Sequence, residues 1–200
     1  MADVVTGNVY DKYRTGNPIF RRLMQGFLAS ARELLAGVTP TRILEVGCGP
    51  GDLAANLVEG LWPDVPYTGL DIGLDQVLLA HEVLPRRAFL PASAYALPMP
   101  DAAFDCVLAC EVFEHLDDPR TALAEVRRVC AGHLLLSVPW EPVWRMLNVA
   151  RLSYLSDLGN TPGHLQHYSR RAIRDLVASR FEIVAERHPF PWTMLLARIR

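Results

Sequence analysis

Cysteine is scarce: Cys48, Cys106, Cys110 and Cys130 are the four in 200 residues. They follow no metal-binding spacing, and three of them sit in apolar strand or helix contexts. This argues against a cysteine-built zinc site and against a disulfide scaffold. It points to reduced, buried thiols in a cytoplasmic protein. No apolar run is long enough to span a bilayer, and no leader segment is expected. Charge of one sign is also lacking. Lys and Arg total 20 against 22 for Asp and Glu, a net charge of -2, so the chain carries no overall electrostatic footprint for nucleic acid. The arginine pairs (Arg21 and Arg22, Arg86 and Arg87, Arg127 and Arg128, Arg170 and Arg171) are scattered among acids and read as solvated helix faces. Internal repeats and low-complexity tracts are absent. A chain of this length fits one domain with a full core, 1–200.

What is present concentrates in Ile43 to Gly51, ILEVGCGPG. An apolar run suited to a buried parallel strand ends in an acid, and a glycine then recurs at every second residue. Glycines fit a tight turn where backbone passes close to a ligand, because a side chain would collide there. Asp52 opens a predicted helix, so strand, turn and helix N-terminus form a nucleotide-type pocket. No Gly-Lys-Ser/Thr follows, which excludes a phosphate-binding Walker loop. The dinucleotide fingerprint places its third glycine inside the helix, and this turn does not.

The acid followed by G-x-G-x-G, here Glu45, Gly47, Gly49 and Gly51, resembles motif I of the class I S-adenosylmethionine (SAM)-dependent methyltransferases, and the segments GNTPGHLQHYS and YDKYRTGNP resemble bacterial members of its small-molecule branch. The resemblance implies a second acid at the end of the next strand, and YTGLD supplies it as Asp71. It further implies that Gly47, Gly49 and Gly51, with Cys48 between them, line the methionine and ribose of SAM, and that Glu45 fixes the turn. Asp71 then accepts both ribose hydroxyls and Ile72 lies against adenine. Ser93 to Asp105 resembles the family's loop before the fourth strand. Ser93 stands where many members carry an Asp for the adenine amine, so adenine selection leans on the backbone of Ala94. Cys110 and Glu111, at the end of the fourth strand, complete the expected cofactor contacts, with Glu111 facing the methionine. S-adenosylhomocysteine (SAH) is the implied product.

Periodicity predicts helices over 18–36, 52–61, 74–84, 119–130 and 169–179, with Asn17-Pro18, Pro119 and Ser169 at starts. Strands are predicted at 42–46, 66–71, 87–91, 104–110, 133–138, 181–188 and 193–199, the last two as an antiparallel pair. Strands alternating with helices imply a parallel sheet. The expected fold is therefore α/β: a Rossmann-like, seven-stranded, mostly parallel sheet with helices on both faces and an antiparallel last strand. Residues 1–38 form an N-terminal helical cap, in which Tyr10, Tyr13 and Arg14 either close over the cofactor or pack on the surface. Residues 139–168 form an insert after the fifth strand, too long for a plain loop, with helical spacing over 143–155. The insert leaves the carboxyl end of a strand, where ligands bind in such sheets, and so is expected to roof the acceptor site. Trp140, Trp144, Met146 and Leu147 either line a hydrophobic acceptor pocket or pack the insert onto the sheet.

Methyl transfer displaces a thioether from an already activated sulfonium, so alignment is the main task. A hydroxyl acceptor also needs a base or a metal. Two readings of Glu111 to Leu116 (EVFEHL) stay open. In the favoured one no metal binds, Glu111 faces the cofactor, and His164 or His167 from GHLQHYS is the general base. In the other, Glu111, Glu114, His115 and a distal histidine, His164 or His167, hold a divalent metal. That set resembles the E-x-x-E-H…H arrangement of ubiquinone-pathway O-methyltransferases and of the enzymes that methylate the 3′-terminal 2′-hydroxyl of small RNAs. The expected function is methyl transfer to a small-molecule acceptor, open to a hydrophobic one, with O-methylation favoured and N- or C-methylation not excluded. A metal-dependent RNA 2′-O-methyltransferase and a catalytically silent SAM-binding protein are the alternatives. The expected state is a monomer or homodimer.

Overall fold

The computed structural model describes residues 16–141, 143 and 163–200. Tyr10, Tyr13, Arg14, Trp144, Met146, Leu147 and most of the predicted 143–155 helix lie outside them. Helix α1 spans Pro18–Leu35, and its Asn17 cap accepts the Ile19 N–H at 2.9 Å. Strand β1 is Ile43–Val46; a π-helical turn, Ala54–Val58, then runs into the short helix α2, Glu59–Leu61. Next come β2 (Tyr67–Asp71), α3 (Leu74–Val83), β3 (Ala88–Pro91) and β4 (Phe104–Cys110). A 3-10 turn, Phe113–His115, precedes α4 (Pro119–Val129) and β5 (Cys130–Pro139). Helix α5 (Arg170–Ala178), β6 (Glu182–Arg187) and β7 (Trp192–Arg198) close the chain.

The seven strands lie in the order β3-β2-β1-β4-β5-β7-β6. All neighbours are parallel except β7, which runs antiparallel to both β5 and β6. The expected sheet, including its reversed last strand, is the one found. Strand β5 begins three residues earlier than its apolar run suggests, because Cys130 already pairs with Phe104 across a bulge. The π-helical turn is a local feature that apolar spacing does not announce.

Both faces of the sheet are covered. Phe27, Leu35, Leu57, Val77 and Ala80 pack one face from α1, the π-helical turn and α3. Leu123, Val126, Ile173 and Val177 pack the other from α4 and α5. Alternate residues of the central strands feed the two sides: Ile43 joins the first cluster and Leu44 the second. Strand β1 is where the order reverses, since its parallel neighbours β2 and β4 lead to opposite flanks. The crevice at the carboxyl ends of β1, β2 and β4 is the ligand position that this topology creates.

Arg128 and Glu125 of α4 account for the Leu97 to Asp101 loop. Arg128 donates to the carbonyls of Leu97 and Met99 and to Asp101, while Glu125 accepts the Leu97 N–H. Asp105, at the far end of β4, accepts from the Thr41 N–H, the Thr41 hydroxyl and the Arg42 N–H. It therefore braces the sheet away from the crevice.

Candidate active site

The turn after β1 is shaped by what packs beneath it. Gly47 adopts φ +72°, and a Cβ there would fall 2.3 Å from Cγ2 of Val112. The Gly47 and Cys48 N–H groups both donate to the Leu70 carbonyl, at 2.7 and 2.9 Å. That leaves the turn tied to β2 on one side and to the post-β4 segment on the other. Cys48 is buried, and burial, with Glu45 next, raises its thiol far above the ordinary range. It is a packing group and not a nucleophile.

Asp71 links the two expected cofactor elements. One carboxylate oxygen accepts the Gly49 N–H at 2.9 Å, and the other accepts the Gly73 N–H at 2.9 Å. Each oxygen keeps a second lone pair, so the carboxylate can hold the turn and still receive two hydroxyls. Ile72 is 52% exposed, an apolar side chain presented at the same rim. Ser93 and Ala94 are half-buried beyond β3; the Ser93 hydroxyl accepts the Tyr95 N–H, and the Ala92 N–H donates to the Asp71 carbonyl.

Glu45 is buried at 2% exposure and accepts the Tyr67 hydroxyl at 2.6 Å. Burial pushes its carboxyl up from 4.5 to about 8; the Tyr67 bond opposes this, and Asp71 and Asp52 reinforce it. The residue holds β1 to β2 through its side chain, one step below the glycine turn.

Glu111 lies just past β4 with φ +60°, a left-handed conformation seldom taken by a residue with a side chain. Its carboxylate accepts Nε1 of Trp192 at 2.6 Å and the Ser137 hydroxyl at 3.3 Å, and its N–H donates to the Ser137 carbonyl. Trp192, first residue of β7, packs edge-on against Phe27 of α1 at 5.2 Å. Cys110 is half-buried beside it, and burial, with Glu45 adding, lifts its thiol well above the usual range.

The 3-10 turn brings a second group together. Ligand-type atoms of Glu114, His115 and His164 all lie within 4.8 Å of one another. Glu114 is 1% and His164 6% exposed, and the two imidazoles stack edge-to-face at 5.0 Å. His115 Nδ1 contacts the Gly163 carbonyl at 2.9 Å. A carbonyl only accepts, so Nδ1 is the donor in this contact, and Nε2 faces the Glu114 carboxylate at 4.0 Å. The Glu114 carbonyl accepts the N–H groups of Leu165 and Gln166, which seats the returning segment on the turn. Among the described residues, Glu111 is not part of this group, and His167 is exposed outside it. Three of the four side chains of the metal reading therefore converge, and the fourth is committed to Trp192 and Ser137. Those two partners, with Tyr67, are site residues that sequence patterns miss, because each lies in a strand chosen for its apolar face.

A family described as a methyltransferase domain matches residues 20–185. The chain belongs to this family of SAM-dependent methyltransferases. The O-methyltransferase rstn1 of Aspergillus nomiae is 39% identical over 103 residues, 48% of this chain and 45% of that protein. Trans-aconitate 2-methyltransferase of Rhodopseudomonas palustris is 37% identical over 106 residues, 51% and 39% of the two chains. The chain thus matches less than half the length of these curated relatives. Among solved structures, magnesium protoporphyrin IX methyltransferase of Synechocystis with bound SAH superposes at TM-score 0.67 and 18% identity, covering 94% of this chain and 91% of that one. That likeness is one of fold.

Proposed function

We propose that the protein transfers the SAM methyl group to an oxygen of a small organic acceptor held beneath the 139–168 insert. The observation that carries the cofactor part is Asp71, whose carboxylate accepts from both Gly49 and Gly73. It joins the glycine turn to the sugar-binding acid in one rigid unit. O-methylation is supported by the named activity of the A. nomiae relative and by the imidazoles gathered at the 3-10 turn that follows β4. Cofactor contacts are assigned to Gly47, Cys48, Gly49, Gly51, Asp71, Ile72, Ser93, Ala94, Cys110 and Glu111, with Glu45 supporting the turn. Four unpaired cysteines favour a cytoplasmic setting.

In the acceptor half, His164 is the better placed base, because it lies in the Glu114 and His115 cluster while His167 is exposed. It would take the acceptor hydroxyl proton as the oxygen attacks the methyl carbon and the C–S bond breaks, leaving neutral SAH. Titration of the purified protein with SAH, alongside Asp71→Ala, tests the cofactor reading. The wild type should bind and the variant should lose at least about tenfold, the loss of one charge-assisted pair of bonds. Equal binding, or none by either, refutes it. SAH release from SAM with an acceptor panel then tests turnover; SAH binding without release by any acceptor favours the silent reading.

A divalent cation is the second reading, and the convergence of Glu114, His115 and His164 favours it. Mixed carboxylate and imidazole donors suit Zn²⁺ or Mn²⁺, and the Gly163 carbonyl orients His115 as an outer partner orients a metal-bound imidazole. Such an ion would supply Lewis acidity to the acceptor oxygen. Metal content of His115→Ala against wild type decides between the readings: retained metal in the variant, or none in the wild type, leaves the metal-free mechanism.

A further inference from the structure

Arg170 has features that stability does not explain. It opens α5, whose first turn contains no acid, so its charge sits at the helix end that repels cations. Its Nε is buried with no hydrogen-bond partner among the described residues. A buried donor left unmet costs about 1–3 kcal/mol. The guanidinium carbon instead sits over the ring of Trp140, 3.9 Å from its centroid. An aromatic plate of this kind fixes the plane of the guanidinium and leaves its edge to read a planar, two-oxygen anion.

The position matters as much as the chemistry. Trp140 follows the last residue of β5 and is pinned by its N–H to the Pro191 carbonyl, beside the Trp192 that holds Glu111. Arg170 lies two residues past Tyr168, whose carbonyl accepts the Glu141 N–H. Both ends of the 139–168 insert are thus clasped together, and the stacked pair stands at that neck. Burial first, then the Arg170 charge, hold His188 below its usual range, against the opposing carboxylate of Glu186 at 3.8 Å. Nearby Arg174 is already paired with Glu186, which leaves Arg170 as the cation open to a ligand among the described residues at this neck.

We propose that Arg170, laid on Trp140, reads a carboxylate of the acceptor, so that the substrate is a small organic acid. This rests on the reading that the insert roofs the acceptor site. The carboxylate held here is a handle and not the methylated oxygen. A guanidinium spreads and stabilises the carboxylate charge, which weakens it as a nucleophile, so the product keeps this group free.

The test is titration of SAH-loaded protein with a panel of small aliphatic and aromatic carboxylic acids, each beside its primary amide. At least one acid should bind tenfold or more tightly than its amide. Arg170→Gln should abolish that preference while SAH affinity stays that of the wild type. Arg170→Lys, which keeps the charge without the planar fork, should retain part of it. No acid exceeding its amide on the wild type overturns the proposal without need of any variant. So does Arg170→Gln binding the acid like the wild type. Failure of the wild type to bind SAH at all strikes the methyltransferase reading instead, and so is told apart.

Discussion

Gly47→Ala puts the turn geometry under direct strain. The added Cβ would meet Cγ2 of Val112 at 2.3 Å, where carbon atoms prefer about 3.5–4.0 Å. Relief of such overpacking typically costs about 1–3 kcal/mol. The left-handed backbone, φ +72°, adds about 1–2 kcal/mol for any residue with a Cβ. The variant should therefore lose about 2–5 kcal/mol, read as a lower urea midpoint at unchanged slope. SAH affinity should fall with it, since Cys48 and Gly49 ride on the displaced backbone. A double-mutant cycle separates the two causes. Val112→Ala removes the methyl groups in the way, so the double variant should recover about 1–3 kcal/mol relative to the sum of the singles. The backbone part should remain. Additivity within about 0.5 kcal/mol, or a Gly47→Ala protein as stable as the wild type, refutes the close approach of the post-β4 segment to the turn.

Glu45 sets a pH dependence. Its carboxyl is held near 8 in the fold against 4.5 when unfolded, so the folded state binds the extra proton between those values. Stability should fall as pH rises from about 4.5 to 8, by an amount on the order of 5 kcal/mol at most. Glu45→Gln keeps the acceptor for Tyr67 and should flatten the curve; an unchanged slope in urea midpoints from pH 5 to 8.5 counts against it. Trp192→Phe removes the Nε1 donor to Glu111 and should cost about 1–3 kcal/mol while weakening SAH binding. Denaturation and calorimetry that leave both unchanged would show the bond to be idle. His164→Ala should slow SAH release by about 10²–10⁴-fold with an active acceptor, and His167→Ala by only a few-fold. The reverse order would move the base to the exposed histidine.

The elements were largely readable from sequence because local and tertiary preferences agree in them. Leu44 and Val107 lie in strands buried on both faces, which demand unbroken apolar runs, and Asn17, Pro119 and Ser169 each start a helix by their own chemistry. The glycine turn after β1 was readable for a related reason, since positive φ and contact with Val112 leave Gly47 almost no substitute. Long-range partners were not. Trp192 stands 81 positions from Glu111, and only the antiparallel pairing of β7 with β5 brings its indole to that carboxylate. Tyr67 looks like a strand aromatic until its hydroxyl is found on Glu45. Arg170 looks like one of several solvated arginines until Trp140, 30 positions away, is seen beneath it.

The EVFEHL segment shows why residue types at a given spacing do not decide a ligand set. Spacing alone places Glu111, Glu114 and His115 within one turn of chain, and a regular helix would gather all three. The backbone here is not regular. Glu111 takes a left-handed φ, Val112 leaves helical geometry with φ -121° and ψ -45°, and only Phe113–His115 form a 3-10 turn. The break separates the two carboxylates. Glu111 goes to Ser137 and Trp192, beside the turn that Val112 buttresses. Glu114 goes with His115 toward His164 and the insert's return. One six-residue segment thus sends its two carboxylates to two separate groups, the first to Ser137 and Trp192 and the second to His115 and His164. The strain at Glu111, about 1–3 kcal/mol for such a conformation, is what keeps them apart.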